Sequence, residues 1–267
     1  MHAFAYHRPA NLKQAATLLQ NSPEGKLLAG GQSLIPALKQ RLAAPTDVID
    51  LRGISELRGI TVKGGTVTIG AMTRHAEVAA SAEVANAIPA LAQLAGGIGD
   101  PQVRNIGTLG GSIANDDPAA DYPAALLGLG ATVHTSKRKI PADDFFVGMF
   151  ETALEPGEII TAVSFPVPEK AAYAKFANPA SRFAMVGVMV SQGSGGVRVV
   201  VTGAAPSVFR VSAMEQALSA DFSAPALEGI QVPPSGLNSD IHASADYRAH
   251  LIAVMAQRAV AAALAGK

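Results

Sequence analysis

No cysteine occurs among the 267 residues. Disulfides, thiolate nucleophiles, zinc–thiolate sites and iron–sulfur ligation by this chain are therefore excluded. An excess of charge of either sign is also missing, since Lys plus Arg and Asp plus Glu number 21 each. That balance argues against nucleic acid or an anionic membrane surface as the main partner. No run of apolar residues is long enough, and free enough of charge and turn residues, to cross a bilayer, so direct membrane insertion is not expected. MHAFAYHRPANLKQ at the start has no basic region followed by a long apolar stretch. A cytoplasmic location is the expectation, with periplasmic export beside a signal-bearing partner left open. The six histidines form no i,i+4 pair, so no metal site is expected. Neither G-x-x-x-x-G-K-[ST] nor G-x-G-x-x-G is present: Gly97-Ile98-Gly99 fails because Gln102 occupies the last glycine place.

What is present suits a well-buried globular protein: 49% of residues are apolar and only 16% charged. Asn11 before LKQAATLLQ, with Gln14 three residues on, predicts a capped helix. KLLA (26–29) and DVIDL (47–51) read as strands, and ITVKGGTVTIGA (60–71) reads as a hairpin about Gly64-Gly65. Helices are predicted from Thr73 to Val78, over IPALAQLA (88–95) and over YPAALLGLGA, and strands over ATVHT and IITAVSF. Beyond about Ala171 the texture changes to the strands AYAKF, MVGVMV and VRVVVTGA and the helices SAMEQAL and RAHLIAVMAQRAVAAAL. A boundary near 168–172 would separate an α+β N-terminal region from a smaller sheet carrying helices.

Two glycine-rich segments carry the candidate chemistry. In LLAGGQSLIP (27–36) a strand runs through Gly30-Gly31 into a helix, a geometry that turns backbone N–H groups toward an anion, with Gln32 and Ser33 adding donors. An ordinary strand-to-helix turn capped by Ser33 accounts for the same residues. In NIGTLGGSIANDDPAAD (105–121), Gly107, Gly110 and Gly111 permit close backbone approach and Thr108 and Ser112 supply hydroxyls. The span 97–121 has almost no apolar periodicity, which inside a compact domain is uncommon without a function and favours a ligand, although an Ω-like surface loop whose glycines serve its own turns accounts for the same residues. Two neutral donor loops without an adjacent Lys or Arg suit a diphosphate. Asp117 and Asp121 would repel phosphate, so a ribose or ribityl hydroxyl is their natural partner; Asp121 before YPAALL is equally a good N-cap. Asp116 is assigned only a turn or capping role. Glu155 and Glu158 flank a Pro-Gly turn and are expected to be solvated, while Asp143-Asp144 start a turn. Lys175 is either a snorkelling edge residue or a cation reaching back to the ligand. With no nucleophile, metal cluster or acid–base constellation in view, no catalytic residue is assigned, and any chemistry belongs to a cofactor.

AGGQSLIPALKQ, TIGAMTRHAEV, GDPQVRNIGTLGGSIANDDPAADYPAALLGLGA, ALEPGEII and YAKFANPASRFAMVGV stand here in that order. Together they resemble the FAD-binding medium subunit of the molybdenum hydroxylases, the xanthine dehydrogenase, aldehyde oxidoreductase and aerobic carbon monoxide dehydrogenase family. The likeness runs from Phe4 to YRAHLIAVMAQRAV. It implies a two-lobed FAD-binding domain of the vanillyl-alcohol-oxidase type over residues 1–170 (lobes about 1–56 and 57–170). A C-terminal α/β domain with a three-stranded antiparallel sheet would follow over 171–267. FAD would lie between the lobes. Leu28, Ala29, Gly30, Gly31, Gln32, Ser33, Leu34 and Ile35 would wrap its pyrophosphate, with Gly107, Thr108, Leu109, Gly110, Gly111 and Ser112 as the second wall. The resemblance further implies that Ile98 lies against the cofactor, Asp121 binds a sugar-like hydroxyl, Ile160 lines the pocket and Lys175 reaches the flavin side. Asn115 and Asp117 match the family's tripeptide approximately.

By the same resemblance the iron–sulfur and molybdenum centres sit on separate chains, a 2Fe-2S small subunit and a molybdopterin large subunit, in a heterotrimer or a dimer of heterotrimers. This chain would then be the flavoprotein that passes electrons from the iron–sulfur clusters through FAD to an external acceptor. Two other readings stand beside it: a stand-alone FAD-dependent reductase of the same fold, and a nucleotide-binding module without redox function.

Overall fold

The computed structural model describes residues 1–266; Lys267, the last residue of the expected C-terminal domain, lies outside the described residues. Strands β1 (Ala5–His7), β2 (Lys26–Leu28) and β3 (Asp47–Asp50) form a parallel sheet in the order β1-β3-β2, with α1 (Leu12–Asn21) and α2 (Leu34–Lys39) in the connections. The start of α1 is fixed from both sides. Asn11 Oδ1 accepts the Gln14 N–H at 3.0 Å, and Gln14 Oε1 accepts the Ala10 N–H at 2.9 Å. Ala15 of this helix packs with Ile49, Leu51 and Ile54 in one hydrophobic cluster.

A second layer begins with the hairpin β4 (Ile60–Lys63) and β5 (Thr66–Gly70). Six short helices follow: α3 (His75–Ala80), α4 (Ala82–Ala87), α5 (Pro89–Gly96), α6 (Pro101–Ile106), α7 (Leu109–Asn115) and α8 (Tyr122–Gly128). Strands β6 (Thr132–Thr135) and β7 (Lys139–Pro141), a small hairpin β8 (Phe146–Gly148) and β9 (Glu151–Thr152), and β10 (Ile160–Pro166) complete it. The five-stranded sheet is antiparallel throughout, in the order β4-β5-β10-β6-β7. Its inner face buries Val67, Ile69, Val163 and Phe165 against Leu91, Leu94, Ile113 and Leu126 of the helices. Burial of each such side chain stabilises by about 1.5–3 kcal/mol.

The C-terminal region is a sheet of β11 (Lys170–Ala177), β12 (Ala184–Gly193), β13 (Gly196–Thr202) and β14 (Phe209–Arg210), followed by α9 (Ser212–Ala220) and α10 (Ala245–Leu264). It has four antiparallel strands rather than the expected three. The extra strand is two residues long, too short to carry an alternating pattern, and its pairing with β13 defines it. Both faces of this sheet are covered. Val186, Val188, Val190 and Val199 pack with Met214, Ile252 and Val260 of α9 and α10, whereas Met189, Val200 and Tyr173 join the core of the preceding layer. That explains why β12 reads as an almost continuous apolar run.

Four readings are corrected, for residues 97–121, Ser33, Asp121 and Glu158, and one unpredicted helix is added. The segment 97–121 is not an Ω-like loop, because it contains α6 and α7. Asp100 Oδ1 accepts the Val103 N–H at 2.8 Å with Pro101 at the first position, and Thr108 Oγ1 accepts the Gly111 N–H at 3.1 Å. These caps and the burial of Leu109, Gly110 and Ile113 override the poor helix propensity of the glycines. Helix α4 carried no sequence prediction and rests on a Ser81 Oγ cap to the Val84 N–H. Ser33 and Asp121 each precede a helix but neither side chain caps it. Glu158 is buried rather than solvated. Burial works to raise its pKa, but bonds from Arg138, the Glu155 N–H and Thr135 outweigh it and hold the carboxyl at about 2.

Asp116, given only a turn role from the sequence, ends α7 in the left-handed region at φ 44° and is 2% exposed. Its main-chain oxygen accepts the Phe150 N–H at 3.1 Å, tying the β8–β9 hairpin to this turn, while Oδ2 has no partner. Burial, and then the charge of Asp117, push the carboxyl from 3.8 up to about 7. The folded chain thus keeps a proton that the unfolded chain releases, and stability falls as pH rises through that window. Asp116→Asn keeps the left-handed preference and removes the titration. Its melting temperature should exceed wild type by roughly 2–6 °C at about pH 8 and match it near pH 4. Equal differences at the two pH values in thermal melts would reject this account.

Candidate functional site

The first glycine segment leaves β2 at Leu28 and turns into α2. Gly31 adopts φ +71°, which lets the chain fold back so that its carbonyl accepts the Ile35 N–H at 3.1 Å. Among the described residues, the N–H groups of Gly31, Gln32, Ser33 and Leu34 donate to no protein acceptor. The Gln32 side chain reaches back to the Gly30 carbonyl at 3.3 Å. Four successive free amides on an accessible turn form a neutral cradle for an anionic group. This segment therefore has the donors that diphosphate binding requires.

The second segment is built differently. Leu109 N–H donates to the Thr73 carbonyl at 3.1 Å, Gly110 N–H to Ala71 at 2.8 Å, and Gly111 N–H to Thr108 Oγ1 at 3.1 Å. His75 N–H donates to Gly107 at 3.0 Å, and an antiparallel bridge sets Arg74 beside Thr108. Two of its amides, those of Leu109 and Gly110, thus hold the turn to the β5–α3 connection, and the fold places an arginine there that the sequence spacing had not. The two segments meet. A Cβ on Gly30 would lie 2.7 Å from Gly107 Cα, and one on Gly111 would lie 3.3 Å from Ala29 Cβ. No side chain fits between them, so they form one continuous wall.

Beyond that wall, α6 leads to a second group of residues. Arg104 donates to the carbonyls of Ile98 and Gly99 at 2.9 and 3.0 Å. The adjacent Gly97 carbonyl accepts from Lys175 Nζ at 3.0 Å, and Lys175 also pairs with Asp121 Oδ2 at 2.9 Å. The other oxygen of Asp121 accepts from Tyr173 Oη at 2.6 Å. Lys175 therefore neither snorkels nor points freely at a ligand: its side chain is 11% exposed and is held between two acceptors. Burial pushes the Asp121 carboxyl upward, opposed by Lys175 and the Tyr173 hydroxyl. Burial, then Asp121, raises Tyr173. His75 lies against Tyr122, with ring centroids 5.3 Å apart; burial and then Arg104 push it down to about 4, so it stays neutral.

The remaining predicted residues lie in two places. Ile160 is buried at the head of β10, next to Thr161, whose carbonyl accepts the Ala71 N–H under Gly110. Asn115 and Asp117 are at the far end of α7 from Thr108, about 10 Å along the helix axis. Asp117 Oδ1 is occupied by the Ala119 N–H at 2.9 Å. The sequence reading passed over Tyr173 and the Gly97 carbonyl. Tyr173 had a signal, since it stands two residues from Lys175 in a segment read as a strand and so shares its face. The carbonyl had none.

Residues 2–168 match the family described as the FAD binding domain in molybdopterin dehydrogenase. The chain is 36% identical over 272 residues to the nicotine 6-hydroxylase medium subunit of Paenarthrobacter nicotinovorans, covering 97% of this chain and 96% of that one. It is 35% identical over 281 residues to the carbon monoxide dehydrogenase medium chain of Hydrogenophaga pseudoflava, covering 98% and 97%. Among solved structures, a cyanide-inactivated Cu,Mo-CO dehydrogenase superposes with a TM-score of 0.89 at 34% identity, covering 99% of each chain. Quinoline 2-oxidoreductase from Pseudomonas putida 86 superposes with a TM-score of 0.89 at 32% identity, covering 99% and 98%. With residues 2–168 matching that family and both medium-subunit relatives covered almost end to end, the chain belongs to the FAD-binding domain family of the molybdopterin dehydrogenases, and its cofactor is FAD.

Proposed function

We propose that this chain is the FAD-bearing electron-transfer subunit of a multi-subunit molybdenum hydroxylase, with the two-lobed architecture of the vanillyl-alcohol-oxidase type. The observation that carries the reading is the run of four amides at Gly31–Leu34 without an acceptor among the described residues, continuing from Ala29 and Gly30, which pack against the Gly107–Ser112 segment. Leu28 to Ile35 would hold the pyrophosphate through backbone N–H groups, and Gly107 to Ser112 would close the other side with Thr108 and Ser112 hydroxyls at hand. Ile98 and Ile160 would give apolar contact. Lys175 would present fixed positive charge at the flavin side, held by Asp121. Asp121 has both oxygens engaged within the protein, so its role is to orient Lys175 as much as to meet a hydroxyl. Asn115 and Asp117 belong to the outer end of this site. FAD supplies the electron-carrying chemistry, and this chain supplies orientation and electrostatics. The relatives named as medium chains support partner chains carrying 2Fe-2S clusters and molybdopterin, in a heterotrimer or its dimer. Electrons would arrive from the iron–sulfur chain and leave to an external acceptor. No helix among the described residues is long and apolar enough to cross a membrane. We retain the cytoplasm as the proposed location.

Two experiments test this. Gly30→Val would drive a branched side chain into Ile106 and Gly107 and separate the two walls. FAD affinity should fall by about tenfold or more, with far-UV circular dichroism unchanged. Normal flavin content in that variant would show that the wall is not the site. Isolation of the chain from its source under native conditions should co-purify iron–sulfur and molybdenum-bearing chains in fixed stoichiometry. A yellow monomer that recovers neither would end the subunit reading, and a colourless protein that takes up no FAD would end both.

A further inference from the structure

Tyr173 and Lys175 alternate along β11 and face the FAD-binding layer, whereas Ala174 and Phe176 face α10. Across the ladder, Lys175 is paired with Gly187 of β12. Gly187 sits in the interior of a ten-residue strand, where glycine is unfavourable, and its backbone does not require φ > 0. Its reason is space. A Cβ there would lie 2.8 Å from Tyr173 Cζ and 2.9 Å from Cε2, and closer still to the hydroxyl. The phenol lies across the bare backbone of Gly187 and so reaches Asp121 Oδ1 at 2.6 Å, on the other domain. Asp121 Oδ2 is then directed to Lys175, whose remaining contact is the Gly97 carbonyl.

We infer that Tyr173, made possible by Gly187, is a positioning residue for the flavin site: it fixes the Asp121 carboxylate, which in turn holds the Lys175 ammonium against Gly97. This rests on the reading above that FAD binds beside Lys175. Without the phenolic O–H, one oxygen of a carboxylate whose side chain is 4% exposed loses its donor. Its charged form is then less favoured and its orientation is free. The titratable groups against Asp121 are Lys175 and Tyr173 from β11 and Tyr122 beside it on α8, with neutral His75 behind Tyr122. Asp121 is the member of this group whose ionised state Tyr173 supports.

The test is equilibrium FAD binding to the full chain across pH. Tyr173→Phe should weaken binding by about tenfold. It should also make the loss of binding on acidification larger than in wild type, because the carboxylate without the phenolic donor takes up a proton more readily. Gly187→Ala removes no polar group but pushes the ring and its hydroxyl away from Asp121, and should reproduce the same pH-dependent loss. In an Asp121→Asn background, Tyr173→Phe should have no further effect on the FAD Kd, since tyrosine acts through the carboxylate. The inference is overturned if either single variant binds FAD with the wild-type Kd and the wild-type pH profile. It is equally overturned if Tyr173→Phe costs as much in the Asp121→Asn background as alone. Failure of wild type itself to bind FAD would instead remove the underlying site reading, and is distinguished by that control.

Discussion

Where Gly30 meets Ile106 and Gly107, two main chains pass with no side chain between them. One belongs to the turn after β2 of the parallel sheet, the other to the turn between α6 and α7 beside the five-stranded antiparallel sheet. Their contact turns two ordinary loops into one surface. Next to it, the amides of residues 31–34 have no acceptor among the described residues. Backbone donors without partners on an accessible turn favour an anionic group over water only when the surrounding chain is fixed. The second loop provides that fixation by bonding to Ala71 and Thr73. Binding capacity and rigidity are thus divided between the two loops, one keeping its donors free and the other using them to hold the wall.

The C-terminal sheet extends the same arrangement. Covered on one face by α9 and α10 and on the other by the helices of the FAD-binding region, it is an integral wall of the molecule. Its β11 strand carries Tyr173 and Lys175 to Asp121, so a pair from one region and a carboxylate from the other are joined in a buried network. Such networks are costly when incomplete and specific when every member is satisfied. Here Tyr173, Lys175 and the Gly97 carbonyl complete it.

Much of the fold was legible in the sequence because its signals are local. The Asn11 cap, the Gly64-Gly65 hairpin and the alternation in β11 and β13 each depend on neighbours within a few residues. The misreadings share the opposite cause. Residues 97–121 looked structureless because Gly107, Gly110 and Gly111 have poor helix propensity, yet burial of Leu109 and Ile113 and two side-chain caps form helices there. Glu158 looked solvated beside Pro156 and Gly157, but Arg138 and Thr135, distant in sequence, enclose it. β14 exists through its ladder to β13 alone.

The sequence by itself determined those elements whose caps, turns and alternation are local, the two glycine-rich segments and, through five ordered motifs, a resemblance to FAD-binding subunits. Propensity, capping and spacing are short-range properties, and they survive in a linear string. Only the tertiary structure decided which amides stay free, that Asp121 is bonded to Tyr173 and Lys175 instead of capping α8, and that Asp116 is a buried, strained turn residue. Each of those outcomes is set by which groups a distant segment brings within hydrogen-bond reach and by how much water it removes. Neither quantity exists until the chain has closed on itself.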